Sequence, residues 1–187
     1  MPIVRSTKPD LDEQLPIALA ARIADLDRSS LSHLVDHGLI PRLDIDAVRS
    51  LATGGEVVAK GSDDPGHLVV RLDADPALRR VVDMSDPELS AAVEGPHRVP
   101  ASHRDREVLI TVRSFVIATG RIDAIGDPVA LRTDRRGRKI AARPIAVTIL
   151  HRLSDLTTRP PKVAGESRWL GRRARVGTGG VVLPLTT

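Results

Sequence analysis

The sequence predicts an α+β protein: a helical N-terminal part with a β-hairpin, followed by a small antiparallel β-barrel or curled sheet. Three observations predict it. Apolar residues recur at helical spacing from Asp10 to about Gly54, valine-bearing runs between Gly, Pro and Asp turns dominate beyond Glu107, and the two halves carry opposite charge. The 187 residues hold one medium domain or two small ones. With 41% hydrophobic and 28% charged residues the chain has a folding composition, and disorder throughout is not expected.

Residues 1–9, with Pro2 and Pro9 and no apolar period, read as a tail. Residues 10–72 form the first unit. Leu15, Leu19, Ile23 and Leu26 mark one apolar helix face and Leu31, Leu34 and Val35 a second. Asp27, Ser29 and Ser30 supply N-cap chemistry between them, and Gly38 is a stop that needs positive φ. A third helix starts near Asp44 or Asp46 and runs to Gly54 and Gly55. Glu56–Lys60 and His67–Leu72, on either side of a turn containing Asp63, Asp64 and Pro65, read as a hairpin. Residues 73–103 read as a helical connection in which Asp75 and Asp86 each cap a helix just before a proline, with helices at Leu78–Val82 and Leu89–Val93. Residues 104–187 read as a basic β unit, with strands near Glu107–Thr119, Arg121–Ile125, Pro128–Arg132, Lys139–Leu150 and Val181–Leu185.

The run from Ala20 to Pro41 resembles the helix-turn-helix of excisionase and MerR-type DNA-binding domains. Ala20, Ala21 and Arg22 match the first helix, Leu26 the apolar plug of the turn, Arg28–His37 the second helix, and Gly38, Leu39, Ile40 and Pro41 the exit. The resemblance covers about an eighth of the chain. It implies that Arg28, Ser29, Ser32, His33 and His37 face the DNA groove and that the 56–72 hairpin is a wing. Residues 9–54 nevertheless hold four arginines and eight acids, so phosphate affinity is expected from elsewhere.

That elsewhere is the C-terminal half. Residues 1–97 carry ten Lys and Arg against seventeen Asp and Glu, a net of −7, and residues 98–187 carry eighteen against seven, a net of +11; together they give the chain's +4. Such asymmetry accompanies polyanion binding, or an acidic part that docks on a basic one. The segment from Ala130 to Pro144 reads as two strands joined by a turn, displaying Arg132, Arg135, Arg136, Arg138, Lys139 and Arg143 from a stiff base, which suits phosphate contact. Arg168, Arg172, Arg173 and Arg175 form a second cluster. The element pattern from Glu88 to Ile125 is also similar to the entry of PUA-like barrels that read RNA. Phe115 and Trp169 are the only aromatics, so base stacking is not expected to carry recognition.

Other chemistries find little footing. Without cysteine there is no disulfide, thiolate metal site or thiol nucleophile, and cytoplasm is the expected compartment. No apolar run approaches the roughly 20 residues of a bilayer helix, so no membrane partner is expected. His33 and His37 have metal-compatible spacing but lack the glutamate of H-E-x-x-H, and the pair is expected to face solvent. Asp105, Glu107 and Lys139 are more naturally ion-paired than a nuclease cluster, and the adjacent Ser102 and His103 have no third group to orient them. No phosphate-cradling glycine loop is present. The expectation is a non-enzymatic nucleic-acid-binding protein with no cofactor or metal, DNA favoured over RNA, acting as a transcriptional regulator or mobile-element accessory factor. A structural protein assembling as a homo-oligomer through its charge-split halves and an RNA-binding PUA-like module are the alternatives.

Overall fold

A computed structural model describes residues 14–59, 67–72, 80–133, 139–157, 166–174, 181–183 and 185–186. The tail at 1–9, the turn bearing Asp63 and Asp64, and the cap at Asp75 lie outside them. The described residues are α+β, with helices packed on a mixed, open sheet.

Helix α1 is Ile17–Ile23, α2 Arg28–Asp36 and α3 Ile45–Thr53. Local chemistry sets the ends of α2 and α3. The Asp27 carboxylate accepts from the Ser30 N–H at 2.8 Å, and that of Asp44 from the Ala47 N–H at 2.8 Å. Gly38, at φ 75°, closes α2 while the Leu39 N–H reaches back to the Leu34 carbonyl at 2.9 Å. The first helix corrects the sequence reading: its buried face is Ala20 and Ala21, continued by Ala24, whereas Leu19 is 43% exposed and Ile23 38%. Helix α1 packs on both α2 and α3, and small side chains allow that close approach where a leucine face would hold the helices apart.

The next helix, α4 (Asp86–Val93), begins one residue earlier than the proline signal implies. Ser85 is its N-cap, forming a capping box with Glu88, and Asp86 and Pro87 occupy its first turn. Of the helix expected at Leu78–Val82, the described part is a single 3-10 turn, Val81–Asp83.

The strands are β1 (Glu56–Ala59), β2 (His67–Arg71), β3 (Glu107–Val112), β4 (Phe115–Ile125), β5 (Ala130–Thr133), β6 (Lys139–Ala142), β7 (Ile145–Arg152), β8 (Arg173–Ala174), β9 (Val181–Leu183) and β10 (Leu185–Thr186). The main sheet runs β10-β1-β8-β4-β3-β2-β9, with β7 also on β4. Two expectations are corrected here. Strands β1 and β2 are not a hairpin: β1 pairs with β8 and β10, and β2 lies parallel to β3 and antiparallel to β9. Leu68, Val69 and Val70 are all buried beside buried Val108, Leu109 and Ile110, the continuous apolar run of a strand covered on both faces, so β2 belongs inside the sheet and cannot serve as a solvent-facing wing. Nor is the sheet a closed antiparallel barrel; it is open, and its β1/β8 and β2/β3 pairs are parallel.

The run expected at Glu107–Thr119 is broken by a turn at Arg113 and Ser114, whose φ values of 46° and 71° suit a two-residue hairpin connection. One apolar cluster extends from α1–α3 through β2, β3 and β4 to Trp169. Helix α4 lies on β7, where the Ser90 hydroxyl donates to the Val147 carbonyl.

Candidate nucleic-acid interface

A two-stranded ribbon is present at Ala130–Thr133 and Lys139–Ala142. The strand expected over Lys139–Leu150 is interrupted at Arg143 and Pro144, where the proline has no N–H for a ladder, and β7 beyond them joins β4 in the main sheet. Strands β5 and β6 pair antiparallel from Ala130↔Ala142 to Thr133↔Lys139, and they constitute a two-stranded sheet separate from the main one. Arg132 and Lys139 hold register positions opposite Ile140 and Thr133. Arg135, Arg136 and Arg138 lie outside the described residues, as does Arg175. The ribbon is fastened at its base. His97 and Arg143 exchange both backbone hydrogen bonds, at 2.8 and 2.9 Å, and the Val129 N–H donates to the Ala142 carbonyl at 3.0 Å. The Arg143 guanidinium donates to the Gly126 carbonyl at 3.1 Å and is half-buried, so it braces the ribbon's root.

On α2, Arg28 and Ser29 are exposed, while Ser32, His33 and His37 are half-buried. The two histidines, expected in solvent, instead stand with ring centroids 5.9 Å apart, and His33 Nδ1 is buried without a hydrogen-bond partner. The 3-10 turn lies against the end of α2, with Arg80 and Val82 close to Gly38, and this cover takes His37 out of solvent. Asp36 is exposed on the same helix. Among the described residues no group of three or more His, Asp or Glu is placed to hold a metal ion.

The C-terminal arginines separate by environment. Arg168 is exposed, with its guanidinium 4.5 Å from the centroid of the buried Trp169 ring. Arg173 is committed to the helical part. Its Nη2 donates to the Asp25 carbonyl at 2.7 Å, its Nη1 lies 3.7 Å from the Asp25 carboxylate, and its side chain is only 20% exposed. Arg172 is half-buried in a cleft at the end of α3. The neighbouring Asp27 carboxyl sits below its ordinary range, chiefly through the Ser30 hydroxyl hydrogen bond, with the Ser30 N–H and the positive Arg113 acting in the same direction.

Two constellations escaped the sequence reading. Glu107 Oε2 accepts from Trp169 Nε1 at 3.2 Å and meets His67 Nε2 at 3.2 Å, a sheet-end cluster that occupies the carboxylate considered for nuclease chemistry. Arg152 donates to the carbonyls of Val81, Val82 and Met84 and meets the Asp86 carboxylate at 3.3 Å. Nothing local in the sequence marks either, because the partners are 40 to 102 residues apart for the first and 66 or more for the second.

No model of a known protein family matches the chain, and comparison with curated proteins and with solved structures gives no match either. Among the described residues no helix is long and apolar enough to cross a membrane.

Proposed function

We propose that the chain is a non-enzymatic nucleic-acid-binding protein that engages duplex DNA through the β5–β6 ribbon, with Arg28 and Ser29 of α2 and the exposed Arg168 as further contacts. One observation carries this reading: among the described residues β5 and β6 pair with each other in a sheet of their own, and in the sequence Asp134-Arg135-Arg136-Gly137-Arg138 joins them. A ribbon of two strands fits the major groove, and its arginines bind phosphates or guanine edges in forked geometry. The likeness of residues 20–41 to excisionase and MerR-type helix-turn-helices favours DNA over RNA and a role in transcription or mobile-element chemistry. Binding to random duplex DNA across a salt series tests it. Substituting Arg135, Arg136 and Arg138 together by Ala should weaken binding and reduce the log–log salt slope by about 2–3, as expected for three lost phosphate contacts. Unchanged affinity and slope remove the ribbon from the interface, and preferential competition by structured RNA transfers the reading to RNA.

A second reading, assembly through self-contacts, is favoured by the exposed apolar pair Leu19 and Ile23 on α1. Self-association in sedimentation without nucleic acid that is lost when Leu19 and Ile23 are both replaced by Ser is its distinguishing result.

A further inference from the structure

Most half-buried arginines with a contact in this fold have an acceptor. Arg152 grips three carbonyls, Arg173 holds Asp25, and Arg143 holds Gly126. Arg172 differs. It is half-buried, yet its guanidinium has no hydrogen-bond acceptor or carboxylate among the described residues. It lines a cleft of about 230 Å³ between the C-terminal end of α3 and the loop entering β8, together with Ser50, Gly54, Gly55, Leu156, Leu170 and Gly171, and among the described residues no acid lines it. Its guanidinium nitrogens are not among the buried side-chain atoms without a partner, so they face the open cleft, where an anion can reach them.

The walls admit a bulky anion. A Cβ at Gly55 would stand 3.7 Å from Arg172 Nη1 and 3.8 Å from its Cζ, so the glycine leaves the face of the guanidinium open at van der Waals distance. Gly171, at φ 75°, also lines the cleft. Near Gly54 the carbonyls of Ser50, Leu51 and Gly171 stand at the negative C-terminal end of α3, so an anion would be kept to the Arg172 end of the cleft.

We infer that this cleft is a phosphoryl-binding site, with Arg172 as the charged clamp, and that its natural occupant is a phosphate of a nucleic-acid backbone. The source of the phosphate rests on the proposed function; the seat itself does not. The chemistry is that of forked arginine–phosphate recognition, in which a planar guanidinium offers parallel N–H donors to two oxygens.

The test is amide NMR of the full chain titrated in parallel with inorganic phosphate, a nucleoside monophosphate and a short duplex. The expected result is movement of the Gly54, Gly55 and Gly171 amides with all three, and an apparent Kd raised about tenfold or more by Arg172→Ala. Arg49→Ala, which alters an exposed arginine of α3 outside the cleft lining, should leave the phosphate response of the cleft in place. Gly55→Asp supplies an internal carboxylate to the guanidinium and should abolish the response while the Tm is kept or raised. Still amides in all three titrations, or the same shifts in Arg172→Ala, overturn the site. Shifts with the mononucleotide but none with the duplex overturn the nucleic-acid source. Duplex binding by the wild type separates the two readings: if it fails while phosphate still moves the cleft amides, the proposed function fails and the phosphoryl seat stands.

Discussion

Replacing Arg152 by Ala should destabilise the protein more than any surface ion-pair deletion, because the side chain acts as a clamp on backbone carbonyls. From the end of β7 its Nη2 donates to the Val81 carbonyl at 2.8 Å and, at a longer 3.4 Å, to that of Val82, while Nη1 donates to the Met84 carbonyl. This fastens the 3-10 turn and the start of α4 to the sheet. Two of these bonds have short geometry, and a hydrogen bond to a charged group contributes about 1.5 kcal/mol at the low end, so the loss is about 3 kcal/mol. For a chain of this size that corresponds to a fall in Tm of roughly 6–12 °C. The Asp86 carboxylate, at 3.3 Å and 60% exposed, adds little, and Asp86→Ala should cost under about 0.5 kcal/mol. Arg152→Lys keeps the charge but cannot span the Val81 and Met84 carbonyls with a planar fork, so it should recover less than half of the loss. Guanidinium chloride unfolding of the three variants reads these differences. Equal losses in Asp86→Ala and Arg152→Ala would make the interaction an ordinary ion pair and refute the clamp.

Three further outcomes are expected. Thr119 is fully buried in β4 and its hydroxyl has no hydrogen-bond partner, so Thr119→Val should raise stability by about 1 kcal/mol in the same assay. Gly120→Ala should lower it by about 2 kcal/mol, since the new Cβ would stand 2.7 Å from Val147 Cγ1 and 2.8 Å from the immovable Thr148 carbonyl. Asp27→Ala should cost about 1 kcal/mol at neutral pH as the α2 cap is lost. Because the folded-state pKa of Asp27 lies below its ordinary 3.8, that contribution is complete above the ordinary value and fades as pH falls through the folded one. The gap between wild type and variant should therefore close in acid unfolding curves, and a gap constant across that range would exclude the carboxylate as its cause.

What the sequence disclosed was local. The caps at Asp27 and Asp44, the Gly38 stop and the β5–β6 ribbon each follow from residues within a few positions of one another. Contacts remote in sequence were not legible. The 56–72 segment has hairpin chemistry at its turn, yet β2 finds a better-buried place beside β3, and no local signal weighs those outcomes. The Arg113–Ser114 turn was hidden because neither residue is the glycine or asparagine that usually advertises positive φ. Leu19 and Ile23 misled because helical spacing reports a face without saying which face the neighbouring helices need. At the candidate interface, Arg143, Arg168, Arg172 and Arg173 are indistinguishable as letters; only the positions of Gly126, Trp169, the α3 cleft and Asp25 separate a brace, an exposed cation, a clefted cation and a bound one.

That separation changes what the opposite charge of the two halves means. Had the acids of the front half neutralised the arginines of the back half throughout, the surplus would be a folding device and no polyanion could use it. Among the described residues the pairing is selective instead. Asp25 engages Arg173, and Asp86 lies beside Arg152, both where the helical part meets the sheet. Arg28 and Arg168 stay exposed, and among the described residues the cleft around Arg172 has no acid in its lining. The two populations should respond differently to salt. Ion pairs at the junction are partly buried on the arginine side, at 20% and 22% exposure, and are weakly screened, whereas the exposed arginines act through counterion release and lose affinity steeply. Between low and moderate salt, then, unfolding free energy should stay nearly flat while affinity for duplex DNA falls by orders of magnitude. Parallel loss of both would mean that one shared set of arginines serves folding and binding alike.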